Sequence, residues 1–160
     1  MESTSISRKV FICSPFRPTT KDPDKRTKEQ VDNARLAAEG CRKAVGLGFT
    51  PIAPHLFIPR FLNDEDEFER DIGIKLGLNW LEDCDELWVL GDHISGGMAI
   101  EIDHAKKLKK TIRIVRYLEI PKDQIESLLK QAGEVNLDGA TSNTLVITDV
   151  TDLDNPMEEV

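Results

Sequence analysis

The glutamate with the clearest potential for chemistry, Glu101, follows a loop of small residues, Ser95-Gly96-Gly97. The loop stands where a helix is expected to begin. Its backbone amides and the helix dipole would favour an anion, and its glycines would let a ligand approach closely. A plain helix cap and turn is the alternative. About one turn into the helix, the Glu101 carboxylate would suit an oxocarbenium-like centre, as a nucleophile or an electrostatic stabiliser. A solvated surface residue is the alternative for Glu101.

Polar residues of other loops could complete such a site. Ser14 and Arg17 follow an apolar run, and an arginine can bind a phosphate through two N–H donors at once. His55 follows a second apolar run and could act near neutral pH as an acid, a base or a hydrogen-bond partner. Asp92 stands in the loop before Ser95, as a functional carboxylate or as a turn-forming residue. The histidines lack the spacing of a metal site, so no metal is expected.

The elements that must position these residues alternate between strand and helix. Strands are predicted at 10–13, 49–53, 85–90 and 111–115, with a short fifth strand at 144–148. Helices are predicted at about 27–45, 66–82, 98–109 and 122–132. This order predicts an α/β fold, a Rossmann-like, doubly wound parallel sheet of four to five strands with helices on both faces. Ligands of such sheets bind beyond the carboxyl ends of the strands, where the loops of Ser14, His55 and Ser95 begin.

Capping signals and apolar spacing set further expectations for the helices. A capping box at Thr27-x-x-Gln30 is expected to begin the first helix, after a loop at 14–26 that contains three prolines. Apolar residues recur at three- and four-residue spacing in the first helix, at Val31, Ala34, Ala38, Cys41 and Val45. In the second helix one apolar face carries Phe68, Ile72, Leu76 and Trp80. Trp80 and Trp88 are both expected in the core.

Length and composition narrow the class of protein. The 160 residues are expected to form one domain over 1–148, followed by an acidic, frayed tail at 149–160. A net charge of −8 argues against binding to nucleic acid, although it is compatible with one phosphate site. No apolar run could span a bilayer and no signal peptide is visible, so a cytoplasmic protein without membrane contact is expected. The three cysteines form no C-x-x-C pair and are interpreted as small buried residues.

Over about residues 9–116 the chain resembles the nucleoside 2-deoxyribosyltransferase superfamily. The resemblance lies in the stretch from Asn79 to Asp92, in the stretch from Ser95 to Ala105, and in the first strand with its serine, 10–14. Glu101 falls at the catalytic glutamate of that family, which attacks C1′ of the sugar as the nucleobase leaves. The resemblance therefore implies a covalent glycosyl–enzyme intermediate, which water or a second base resolves.

Ser95 distinguishes two branches of that superfamily. Transferases typically carry an aspartate at this position, whereas the branch that hydrolyses nucleoside 5′-monophosphates carries a serine that binds phosphate. Ser14, His55 and, with a shift of one residue, Arg17 also resemble residues of the hydrolase branch. The resemblance implies that the substrate is bound by Ser14, Arg17, His55, Ser95, Gly96 and Gly97.

The leading hypothesis is an N-glycosidase that cleaves the base–sugar bond of a (deoxy)nucleoside 5′-monophosphate, with Glu101 as the nucleophile and with no metal or organic cofactor. Gly77 stands where the family often has an aspartate, and Asp92 is the candidate substitute in catalysis. Three alternatives stay open: a 2-deoxyribosyltransferase, a nucleotide-binding or sensing protein without turnover, and a related fold that cleaves a cytokinin-like or dinucleotide ligand. The resemblance also implies a homodimer or a higher homo-oligomer.

Overall fold

A five-stranded sheet forms the centre of the protein. A computed structural model describes residues 8–119 and 143–149, so the helix predicted at 122–132 and the tail beyond 149 lie outside the described residues. The strands are β1 (Lys9–Cys13), β2 (Thr50–Ile52), β3 (Glu86–Val89), β4 (Thr111–Glu119) and β5 (Asn143–Asp149). They stand in the order β2-β1-β3-β4-β5. The first four are parallel, which confirms the predicted Rossmann-like sheet. The fifth strand differs from the prediction because it is an antiparallel edge strand, a common addition to parallel sheets.

Helices cover both faces of the sheet, as predicted. They are α1 (Pro23–Gly46), α2 (Glu67–Glu82) and α3 (Gly96–Lys107). Val10 and Ile12 of β1 pack on the side of α1, whereas Phe11 and Cys13 pack on the side of α2 and α3. All four side chains are fully buried. β1 is therefore an interior strand, and its carboxyl end lies between those of β2 and β3. No helix in the described part of the chain has the length and apolarity needed to cross a bilayer.

The first helix begins earlier than the capping box at Thr27 predicted. Asp22 is the N-cap, and its side chain accepts a hydrogen bond from the backbone N–H of Asp24 at 3.0 Å. Pro23 occupies the first helical position, where its fixed φ fits the helix and its missing N–H removes no helical bond. Residues 23–26 are therefore helical, and the prediction of a loop up to residue 26 was wrong.

Small residues form the buried face of α1. Ala37, Gly40 and Ala44 are buried, whereas Val31 and Val45 of the predicted apolar series are 51% and 62% exposed. A Cβ atom on Gly40 would lie only 2.6 Å from Cδ2 of Leu90. The axis of α1 therefore lies close to the sheet. The face of α1 that packs against the sheet is the one with small side chains, not the one with the most apolar side chains.

The apolar face of α2 lies on the surface. Phe68 and Trp80 are 76% and 46% exposed, so the expectation that Trp80 belongs to the core was wrong. Trp88 is fully buried, as expected, and its indole Nε1 donates to Oε2 of Glu86 at 2.9 Å. We call this apolar face the α2 stripe, in which Ile72 is half-buried and the other residues are exposed: Phe68, Ile72, Leu76 and Trp80. A different face of α2, which contains Gly73 and Gly77, turns towards a cavity at the sheet edge.

Candidate active site

A cavity opens beyond the carboxyl ends of β1 and β2, against α2 and the start of α3. The strand order reverses between β1 and β3, which is the position where α/β sheets of this kind bind ligands. The cavity brings together six of the predicted site residues: Ser14, Arg17, His55, Ser95, Gly97 and Glu101.

Two of the predicted site residues do not line this cavity. Gly96 is the first residue of α3 and is exposed, although it adjoins Ser95 and Gly97. The Asp92 side chain is 96% exposed, and its Oδ1 is 2.7 Å from Nδ1 of His93. This contact with His93 lowers the pKa of the Asp92 carboxyl.

Ser95 caps α3 at the mouth of the cavity. Its Oγ accepts a hydrogen bond from the backbone N–H of Met98 at 3.3 Å, so the capping role considered for Ser95 is observed. The cap fixes the first turn of α3, and Gly97 of that turn lines the cavity without a side chain of its own. The helix start therefore offers backbone groups and the positive end of the helix dipole to an anion.

Glu101 is half-buried, and its side chain lines the cavity. Burial raises the pKa of Glu101 to about 7, and the nearby thiol of Cys13 opposes the rise. Cys13 is fully buried at the end of β1. Burial and the neighbouring Glu101 raise the pKa of the Cys13 thiol well above its ordinary value. The thiol therefore stays protonated at neutral pH. Its Sγ donates to the backbone carbonyl oxygen of Met98 at 3.8 Å, and its proximity to Glu101 favours the ionised carboxylate.

Replacement of Cys13 by alanine is expected to raise the pKa of Glu101 above about 7, because the variant lacks the thiol that favours the ionised carboxylate. A ¹³C NMR titration of the glutamate carboxyl carbons measures the change, with the Glu101 signal assigned by its loss in Glu101→Gln. Cys41→Ala is the control, since Cys41 is a partly buried thiol of α1. An unchanged or lowered midpoint in Cys13→Ala would contradict the stabilisation of the Glu101 carboxylate by the Cys13 thiol.

His55 is a neutral hydrogen-bond partner in the cavity. Burial lowers the pKa of His55 to about 4, so the ring carries no charge at neutral pH. Its Nε2 is 2.9 Å from Oγ of Ser14, and its ring centroid is 6.1 Å from that of Phe16. Ser14 is buried and follows β1 directly. The pair can orient a sugar hydroxyl, whereas an acid role for His55 would require a higher pKa.

Two arginines that line the cavity contact one carboxylate. Arg17 donates from Nε to Oδ2 of Asp64 at 2.7 Å, and Arg70 donates from Nη1 to both carboxylate oxygens of Asp64. Burial alone would lower the pKa of the Arg17 guanidinium, but the hydrogen bond and the charge of Asp64 raise it overall. Arg17 was predicted as a site residue from the sequence, whereas Asp64 and Arg70 were not. We call these three residues the Arg17–Asp64–Arg70 cluster.

Gly77 has no side chain at the position where the sequence resemblance implies an aspartate. It is buried, lines the cavity, and a Cβ atom there would meet only Cβ of Pro54, at 3.9 Å. A side chain would therefore fit at this position without a clash. The cavity contains the carboxyl group of Glu101 but has no carboxylate at position 77.

Comparison with known proteins assigns a family to this chain. Residues 8–115 match the model of DUF7768, a domain of unknown function. Among solved structures, a 2-deoxyribosyltransferase from the psychrotolerant bacterium Bacillus psychrosaccharolyticus is 22% identical with a TM-score of 0.46, over 65% of this chain and 69% of that chain. A comparison with curated proteins finds no match. Because the family model spans most of the sequence, the chain belongs to the DUF7768 family.

Proposed function

We propose that the protein is an N-glycosidase that hydrolyses the base–sugar bond of a (deoxy)nucleoside 5′-monophosphate. The observation that carries the proposal is a shared cavity: the desolvated carboxyl of Glu101 lines the same cavity as the capped start of α3 and two arginines. A carboxylate suits the anomeric carbon of a sugar, and guanidinium groups with backbone amides suit a phosphate. A sugar phosphate meets both requirements at once.

Glu101 would act in its ionised form. Its carboxylate attacks C1′ while the bond from C1′ to the base nitrogen breaks, and the base leaves with that electron pair. Water then attacks C1′ of the glycosyl ester, the ester bond returns its electrons to Glu101, and one proton of the water passes to the base. With a pKa of about 7, a large fraction of Glu101 is ionised at neutral pH.

Ser14 and neutral His55 would hold the sugar during these steps, because their hydrogen-bonded pair lines the cavity with Glu101. Ser95 and Gly97 would bind the phosphate at the start of α3, next to Gly96. Asp92 has no part in this mechanism, since its exposed side chain lies outside the lining of the cavity. The proton that the departing base takes up would then come from water rather than from a carboxylic acid of the protein.

Incubation with nucleoside 5′-monophosphates, with and without a second free base, tests the proposal. We expect free base and sugar 5-phosphate in equal amounts, separated by liquid chromatography, and no exchanged nucleotide. An exchanged nucleotide would identify a transferase, because a second base would have resolved the glycosyl ester. Tight nucleotide binding without either product would identify a binding protein, which the open position at Gly77 favours as the second candidate.

We also propose that the α2 stripe joins two copies of the chain. Its apolar side chains recur every four residues, and Phe68, Leu76 and Trp80 are exposed. Exposed apolar patches of this kind mark interaction sites. A twofold axis would pair the stripe with itself, which gives a closed dimer. The sequence resemblance implies a homo-oligomer, and this proposal names the surface at which the copies would meet.

Phe68→Glu combined with Trp80→Glu is expected to halve the mass of the protein in solution, because each of the two copies would bury two charges in the interface. Light scattering after size exclusion measures the mass. Val31→Glu is the matched control, since Val31 is 51% exposed on α1 and lies outside the stripe. Equal masses for the wild type and the double variant would contradict an interface at the α2 stripe.

A further inference from the structure

Arg17 and Arg70 use their guanidinium groups differently, although both line the cavity. Arg17 donates from Nε to the carboxylate of Asp64 and from Nη2 to the backbone carbonyl oxygen of the same residue. Arg70 donates to Asp64 from Nη1 alone, at 3.0 and 3.1 Å. Among the residues that the structure describes, Nε and Nη2 of Arg70 have no hydrogen-bond partner. Arg70 therefore keeps one whole edge of its guanidinium open, while Arg17 does not.

The open edge of Arg70 lies beside the start of α3. The position that a Cβ atom on Gly97 would take is 3.8 Å from Nη2 of Arg70. Arg70 is only 21% exposed at its side chain and shares the cavity with Gly97 and Glu101. Nε and Nη2 of Arg70 are accessible and carry N–H groups without a partner elsewhere in the described part of the chain, so this edge is suited to an acceptor inside the cavity.

The charges of the Arg17–Asp64–Arg70 cluster do not cancel. The two guanidinium groups contribute two positive charges, and Asp64 contributes one negative charge. Glu65 and Glu67 also act on the charge of Arg17, but they add little because their side chains are 72% and 83% exposed. One positive charge remains in the cluster. Arg70 can present it to a ligand through Nε and Nη2, which have no hydrogen-bond partner among the described residues.

We infer that Arg70, rather than Arg17, is the guanidinium that binds the phosphate of the substrate, and that Asp64, itself held by Arg17, keeps Arg70 in position. The identity of the ligand rests on the proposed function. The Nε and Nη2 donors of an arginine match two oxygens of a phosphate in one plane, which a lysine cannot do. Arg70 thereby sets the preference for a nucleotide over a nucleoside, and Arg17 is a positioning residue.

Arg70→Gln and Arg17→Gln distinguish the two arginines. Arg70→Gln is expected to lower kcat/KM for a nucleoside 5′-monophosphate at least about tenfold and to leave that for the nucleoside within about twofold. Arg17→Gln is expected to lower kcat/KM for the nucleotide less than Arg70→Gln does, because Arg70 keeps its own phosphate donors when the segment that holds Asp64 loosens. Arg70→Lys, which keeps the charge but not the fork, should fall between the wild type and Arg70→Gln. Lys25→Gln controls for the loss of one positive charge, since Lys25 is 77% exposed.

The ratio of kcat/KM for the nucleotide to kcat/KM for the nucleoside is the quantity that tests the role of Arg70. A preference that survives Arg70→Gln, or one that Arg17→Gln erases, would overturn it and leave the glycosidase standing. Titration with inorganic phosphate, followed by ³¹P NMR line broadening, separates the two proposals. Phosphate binding that is lost in Arg70→Gln, without base release from any nucleotide, would support the role of Arg70 and refute the glycosidase. Absence of phosphate and nucleotide binding by the wild type would refute both.

Discussion

Glu101→Gln is expected to reduce base release from the substrate at least about 1,000-fold while the nucleotide still binds. Glutamine keeps the shape of the side chain, but its amide cannot attack C1′ and cannot leave as a carboxylate. Binding should change little, because the phosphate and sugar contacts come from other residues of the cavity. Initial rates of base release and calorimetric titration with the nucleotide measure the two quantities separately.

Asp103→Asn is the matched control for this variant. Asp103 lies on the same helix, is 64% exposed, and its Oδ2 is 2.9 Å from Nζ of Lys107. The same chemical exchange outside the cavity should leave the rate of base release unchanged. A Glu101→Gln protein with more than about one tenth of the wild-type rate would remove Glu101 from the role of nucleophile.

Glu101→Gln is also expected to stabilise the folded protein at alkaline pH, by about 3 kcal/mol in the free energy of unfolding. Burial raises the pKa of Glu101 from its ordinary value of 4.5 to about 7. Below pH 4.5 the carboxyl is protonated in both the folded and the unfolded chain, so it costs nothing. As the pH rises to about 7, the unfolded chain loses this proton before the folded chain does. The wild type is therefore destabilised over this window, and the variant is not.

Urea unfolding at several pH values between 4.5 and 8.5 measures this difference. We expect the two proteins to be nearly equal in stability at the acid end and to diverge up to about pH 7, with a constant gap above it. Asp103→Asn should follow the wild type at every pH to within about 0.5 kcal/mol. A gap that does not depend on pH would show that the Glu101 carboxyl is not desolvated, and the proposed nucleophile would lose its distinguishing feature.

Topology made much of the cavity predictable from the sequence. Alternating strands and helices place the ends of parallel strands at one edge, so Ser14 and His55 were expected near the loop that precedes Glu101. Ser95 and Gly97 could be placed because caps and glycines mark the start of a helix. Each of these inferences needs only the order of elements and the local pattern of residues.

Contacts between distant segments could not be predicted in this way. Arg17 and Asp64 are 47 residues apart, and no local pattern links them to Arg70. The face of α1 was misassigned because close approach to the sheet at Gly40 favours small residues over apolar ones. Trp80 was misassigned because helical periodicity reports an apolar face without reporting what covers it.

Base release by the wild type from matched pairs of nucleoside 5′-monophosphates and nucleosides, in ribo and deoxy forms, tests the central claim most directly. We predict that free base is released from at least one monophosphate, and more slowly from the matching nucleoside, because contacts to the phosphate supply part of the binding free energy. Absence of base release from every member of the panel would contradict the assignment of the cavity as a nucleotide N-glycosidase site.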